Sequence, residues 1–284
     1  LFIGGLVTGK GVGLAVPDWP TTFGYNMFLY PWSKMIGGIF YEHSHRLVAS
    51  FVGLLTIVLA LTFWLREGRN WLRWLGLGAL ILVIVQGVLG GLRVVLLENT
   101  LAIVHAATAQ VFFALTIGLA VFTSASWKQT IVPVLNDGGR LRRLCAITTA
   151  LIYLQIVFGA VLRHTGERLD AHLLFAALVA IHVILIAMRV TRHHAGIDLL
   201  NRPALALVIL LLVQITLGGA SYLAKFTTLW PISFDAIVFL TTLHLAVGAL
   251  MLTASVALTL RAYRFSQRSE HGRRKEVLAE QFSV

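Results

Sequence analysis

The stretch Trp74–Val95 reads WLGLGALILVIVQGVLGGLRVV, and Arg93 is its single charge. A helix rises about 1.5 Å per residue, so roughly 20 apolar residues in a row carry it across the hydrocarbon core of a bilayer. The stretch is therefore read as a membrane span. Comparable runs lie at 42–64, 100–123, 144–162, 171–190, 203–224 and 235–260, joined by short links that carry charge, Pro or Gly. Leu1–Thr8 (LFIGGLVT) is apolar but covers less than half a bilayer before Lys10. It is read as the remnant of a first span whose N-terminal part, with any targeting peptide, is missing from the sequence.

Composition agrees with a membrane class. The 284 residues are 58% hydrophobic and 12% charged, too apolar a balance for a soluble domain of this length. The net charge of +11 is patterned rather than diffuse. Links after spans two, four, six and eight carry Arg66, Arg69 and Arg73; Lys128, Arg140, Arg142 and Arg143; Arg189, Arg192 and Arg202; and Arg261, Arg264, Arg268, Arg273, Arg274 and Lys275. The opposite links hold fewer basic residues: Lys10, Lys34, Arg46, Arg93, Arg163, Arg168 and Lys225. By the positive-inside rule the richer links and the C-terminus face the cytoplasm or a mitochondrial matrix. Basicity here sets topology, and nucleic acid is not expected as a partner. The lone cysteine, Cys145, can form no intrachain disulfide and reads as a packing residue.

The spans repeat. Gln86-Gly87-Val88-Leu89-Gly90-Gly91 in span three matches Gln214-Ile215-Thr216-Leu217-Gly218-Gly219 in span seven, and Gly4-Gly5-Leu6-Val7 echoes Gly159-Ala160-Val161-Leu162 in span five, which Gln155 precedes. The expected architecture is an all-α bundle of eight transmembrane helices, the first truncated, built from two parallel four-helix repeats. The halves are 1–130 and 131–284. Small residues at matched depth let helix backbones, or a flat cofactor, approach closely.

Four of the ten histidines fall one to each even-numbered span: His45, His105, His172 and His244. The offset from His45 to His172 is 127 residues and that from Gln86 to Gln214 is 128, so one repeat relates both. A lone intramembrane histidine is more often a packing residue, but four at related positions point to ligands. Each half supplies two imidazoles on different helices, able to hold one haem iron from both faces. Zinc or copper fits less well, since two imidazoles leave such an ion short of ligands whereas a porphyrin brings four of its own. His244 is the least secure, because Asp235 is expected to cap a helix that runs on for about nine residues before reaching it. His164 is expected in an outer loop with a polar interfacial role, and a reserve ligand is its alternative. His182 is expected to bond between helices, and His43 to point away from the site.

The halves differ where span two opens with Glu42-His43-Ser44-His45-Arg46 and span six with Asp170-Ala171-His172-Leu173. Glu42, His45 and Arg46 lie at i, i+3 and i+4, on one helix face. In one view Glu42 and Arg46 are only a charge pair suited to the helix dipole. In the other, Glu42 is a proton-handling group beside a reactive first-half haem, and the second half keeps ligands alone for electron transfer. Arg46, Arg93 and Arg163, by depth alone, are candidate partners of haem propionates.

The Pro17-Asp18-Trp19-Pro20 loop, the Glu42–Arg46 motif, the paired Gln-x-x-x-Gly-Gly segments and the four histidines together resemble the haem A synthase family over nearly the whole chain. The resemblance implies an eight-helix oxidoreductase that converts haem O to haem A, oxidising a ring methyl to formyl by successive hydroxylations for terminal oxidases. It implies that Glu42 is catalytic, that His45 and His105 ligate the iron of the substrate haem, and that His172 and His244 ligate a haem b. Implied partners are membrane lipid, a haem O synthase as supplier, an electron donor and a homo-oligomeric copy. The implied location is a multi-pass protein of the bacterial plasma membrane, favoured over the mitochondrial inner membrane, with haem sites toward the outer side. Many bacterial members carry a cysteine pair in the first outer loop, and residues 10–40 contain none. The alternatives are a two-haem electron-transfer cytochrome, in which Glu42 is structural, and a transporter on parallel repeats, which the one-sided crowding of polar residues disfavours.

Overall fold

The computed structural model describes residues 1–128 and 138–281, with side chains at 138 and 266–281 outside the description. Its helices are α1 (Phe2–Gly9), α2 (Gly37–Arg66), α3 (Asn70–Leu96), α4 (Asn99–Thr123), the single turn α5 (Ala125–Lys128), α6 (Gly138–Thr165), α7 (Leu169–His193), α8 (Asp198–Phe226) and α9 (Phe234–Gln281). Two 3₁₀ turns, Met27–Leu29 and Trp32–Lys34, lie in the loop between α1 and α2. Seven helices, α2, α3, α4, α6, α7, α8 and α9, are long and apolar enough to cross a membrane. The chain is therefore a multi-pass helical membrane protein, and apolar residues such as Phe51, Leu54, Ile84 and Leu212 stand more than half exposed, where lipid covers them. At eight residues α1 falls short of a span.

The helices outrun the apolar windows. α2 starts at Gly37 rather than 42, which places His45 about two turns inside the helix instead of at its mouth. α9 continues to Gln281, far past 260, because Arg, Glu and Lys are good helix formers and nothing in the tail breaks the hydrogen-bond ladder. His271 and the tail cations Arg268, Arg273, Arg274 and Lys275 lie outside the described side chains. The expected boundary between halves at 130 and 131 also lies outside the described residues.

Two local expectations are corrected. Asp235 does not cap α9: Ser233 Oγ accepts the Ala236 N–H at 3.3 Å, while Asp235 takes Lys10 Nζ at 2.6 Å. A short-range hydroxyl leaves the carboxylate free for a cation from the loop after α1. His182 bonds within its own helix, Nδ1 to Leu178 O at 2.8 Å, because the carbonyl one turn back is the nearest polar group to an imidazole in an apolar span.

Pro203 stands inside α8 and cannot donate to the carbonyl of Leu199, one turn earlier. Arg261 of α9 fills that place, its Nη1 donating to Leu199 O at 3.1 Å. The proline gap is thus closed from another helix.

The loop before α2 is built on Asp18. Thr22 and Tyr25 exchange backbone bonds of 3.0 Å around Phe23 and Gly24, both with positive φ, the two-residue turn that suits a tight hairpin. The Asp18 carboxylate accepts the N–H groups of Phe23 and Gly24 at 2.8 and 2.9 Å and the Thr21 hydroxyl. Burial alone would raise the Asp18 pKa, but the Gly24 N–H, the Thr21 hydroxyl and the Phe23 N–H outweigh it and hold the carboxyl at about 2.

Two compact units are present. The first comprises Leu1–Thr116, Ile156–Leu169 and Val213–Ala249; the second comprises the described residues of 117–155, 170–212 and 250–281.

Candidate functional site

Each of the four histidines rests on the long helix that precedes it in sequence or, for His45, on α1. A β-carbon at Gly4 would stand 3.1 Å from His45 Cε1; at Gly90, 3.3 Å from His105 Cε1; at Gly218, 3.0 Å from His244 Cε1. These glycines are the seats of the rings. A side chain there would push the imidazole aside, which gives the repeated small residues a specific task. His172 of α7 meets Gln155 of α6 instead, Nε2 to Nε2 at 3.3 Å. His244 has the corresponding bond to Gln214, also 3.3 Å between Nε2 atoms.

Within the first unit, His45 lies in electrostatic reach of His105, and both lie in reach of Arg93. His45 makes no hydrogen bond among the described residues and is held by packing. The described residues contain no group of three or more His, Cys, Asp or Glu side chains able to hold a metal ion by themselves. Paired imidazoles seated on glycines fit a porphyrin, which completes its own equatorial set. His172 belongs to the second unit and His244 to the first, so their pairing rests on the sequence repeat.

Glu42 is buried, 3% exposed, and both its oxygens are engaged. Oε2 accepts the Val16 N–H at 2.9 Å and Oε1 pairs with Arg46 Nη2 at 2.7 Å. Arg46 in turn donates to the carbonyls of Val16, Asp18 and Thr21 at 2.9, 2.7 and 3.0 Å. The i,i+4 pair legible in the sequence therefore clamps the Pro-Asp-Trp-Pro loop onto α2. His43 joins it from another face of the helix: it is 1% exposed, its Nδ1 lies 3.1 Å from Thr22 Oγ1, and its ring centroid is 5.1 Å from that of Tyr30. That anchoring role was not legible, because a histidine off the ligand face carries no local signal of what will cover it.

The other outer arginines also meet backbone. Arg163 Nη2 donates to Gly5 O at 2.6 Å and Nη1 to Thr241 O at 3.3 Å. The Arg93 guanidinium packs on Gly13, so a β-carbon there would displace it. His164, expected in a loop, occupies the last turn of α6, which persists because its residues continue the helical ladder; it lies in electrostatic reach of Arg93, Arg163 and His105. Cys145 is fully buried, as a packing residue should be.

A sequence model of the COX15-CtaA cytochrome oxidase assembly proteins matches residues 32–171, which take in Glu42, His45 and His105. Relatives agree. The haem A synthase of Shouchella clausii is 29% identical over 174 residues, covering 60% of this chain and 56% of that protein. The haem A synthase of Alkalihalophilus pseudofirmus is 30% identical over 178 residues, with the same two shares. That of Geobacillus kaustophilus is 24% identical over 242 residues, 76% of this chain and 75% of that protein. Over these residues the chain is similar to the haem A synthases. Its matches span a little over half the length of two of these relatives and three quarters of the third. No solved structure matches it. The matched stretch places the motif glutamate and the seated His45 and His105 in one common context.

Proposed function

We propose that this chain is a haem A synthase, an oxidoreductase that oxidises a methyl group of haem O to the formyl group of haem A. The observation that carries the assignment is the first-half pair: His45 and His105 each sit on a glycine seat, and His45 stands three residues from the buried Glu42, within the stretch similar to haem A synthases.

In this assignment His45 and His105 hold the substrate haem, and His172 and His244 hold a haem b. Haem b supplies one-electron transfer when bound. The four imidazoles fix orientation, and the apolar walls of the spans exclude water from the reacting methyl. Glu42 is the proton-handling group; Arg46 holds one of its oxygens and the Val16 N–H the other, so the carboxylate is fixed in position before substrate arrives. Arg46 spends Nη1 and Nη2 on the loop and Glu42, and Arg163 spends its own on the Thr241 and Gly5 carbonyls, which leaves Arg93 the strongest of the three candidates to meet propionates. By the charge pattern the sites lie toward the non-cytoplasmic face of a bacterial plasma membrane. Haem O arrives from a haem O synthase, an electron donor completes the cycle, and self-association is compatible with the broad apolar surface.

Extraction of the pigment from purified protein, with mass and pyridine haemochrome spectra, tests the proposal. Haem B together with haem O or haem A is expected. A colourless preparation, or haem B alone, overturns it. In a reconstituted assay Glu42→Gln is expected to lose about 10²–10⁴-fold of formyl-haem production, the usual worth of general acid–base catalysis. Unchanged production would reduce Glu42 to its clamp role.

A further inference from the structure

His105 differs from the second-half histidines in which nitrogen its glutamine holds. Gln155 and Gln214 approach Nε2 of His172 and His244, each at 3.3 Å. Gln86 approaches Nδ1 of His105. The amide orientation that pairs all three neighbouring groups puts its nitrogen toward the ring: Gln86 then donates to His105 Nδ1 at 3.2 Å and to His105 O at 3.1 Å, and its oxygen accepts the Ala109 N–H at 3.2 Å. No hydrogen bond engages His105 Nε2 among the described residues. Gln86 precedes Gly90 by one helical turn, so the same face of α3 offers the seat at Gly90 and the grip at Gln86.

A neutral imidazole carries its proton on one nitrogen and its ligand lone pair on the other. A donor at Nδ1 selects the ring with its proton on Nε2, which cannot bind iron there. Turning the amide by half a revolution brings its oxygen to Nδ1, selects the proton on Nδ1 and leaves the Nε2 lone pair for a metal. That turn puts the amide oxygen against the His105 carbonyl and the amide nitrogen against the Ala109 N–H. Ligation by Nε2 therefore trades good contacts on α4 for poor ones.

We propose that Gln86 is the positioning residue of His105 and that its amide, by favouring the non-ligating tautomer, makes the His105–iron bond deliberately weak. The inference rests on the assignment of His45 and His105 to the substrate haem, and it gives that assignment a physical reason. A substrate haem must leave after oxidation, whereas a resident haem must stay. The Nδ1 grip occurs at a first-half histidine, where turnover requires exchange.

The test compares full-length wild type with Gln86→Glu and Gln86→Leu, purified with their haem, by electron paramagnetic resonance, redox titration and haem content. In Gln86→Glu both side-chain oxygens accept, so Nδ1 keeps its proton. First-site haem is expected to become more fully low-spin, to titrate at a more negative potential, and to be retained about 10–100-fold more tightly, the usual range for partners of a metal-bound histidine. Gln86→Leu loses the orienting bond but also the bias, and is expected to give a mixed-spin first-site signal with a potential unlike that of either of the other two proteins. The second-half haem is the internal control for folding, because neither substitution touches His172 or His244. Unchanged first-site spin state and potential in both variants, with the second signal intact, overturns the proposal. Wild type without a first-site haem signal instead overturns the functional assignment beneath it. Should Gln86→Glu fail to fold, the Gln86→Leu signal decides, since an inert glutamine predicts no change there.

Discussion

Trp19 lies against Gly91 so closely that a β-carbon on Gly91 would fall within the indole, while Gly219, its counterpart in the second half, has nothing within 4 Å of that position. The paired glycine motifs are thus alike in letters and unlike in use. Gly91→Ala should destabilise the protein by about 1–3 kcal/mol through overpacking. Gly219→Ala should be neutral or stabilising by up to about 1 kcal/mol, since alanine is the better helix former. Thermal unfolding of both variants in one detergent checks the contrast, and equal effects would contradict it.

The Asp18 hairpin predicts an acid transition. Its folded pKa of about 2 lies below the ordinary 3.8, so ionised Asp18 stabilises the loop fully above about pH 4, and this contribution is lost as pH falls toward 2. Trp19 fluorescence followed from pH 5 to 2 should show the loop loosening on the acid side. Asp18→Asn should flatten that transition while weakening the loop at pH 7.

The proline gap in α8 predicts coupling between two helices. Arg261→Ala leaves the Leu199 carbonyl without its donor and should cost about 1–3 kcal/mol. Pro203→Ala restores an N–H within α8, so the double variant should recover much of that loss. A double-mutant cycle by unfolding in mixed micelles should return a coupling of about 0.5–3 kcal/mol. Simple additivity would mean that the guanidinium and the proline act independently.

The seven long spans were legible because hydrophobicity is a one-dimensional signal: Trp74–Val95 announces itself without knowledge of its neighbours. The Glu42–Arg46 pair was legible for a similar reason, its partners being one turn apart. Their hold on Val16, Asp18 and Thr21 was not, since it depends on where a loop folds back in space. Gly91 and Trp19 sit 72 residues apart, and no local pattern links them. The helix ends failed for a different reason. Apolar windows mark where lipid begins, whereas the backbone ladder stops only where a cap or breaker stops it, so α2 and α9 ran past their windows.

α1 is fastened to the far end of the chain. Gly5 and Gly9 seat Thr242 and Val238 of α9, and Lys10 reaches Asp235 across 225 residues of sequence. α1 is thus clad by a helix made more than 200 residues later, and no intermediate of synthesis that lacks α9 can shelter it on that side. Maturation must wait for α9 to insert, so a chain cut short before it would expose that seam to the quality-control machinery of the membrane.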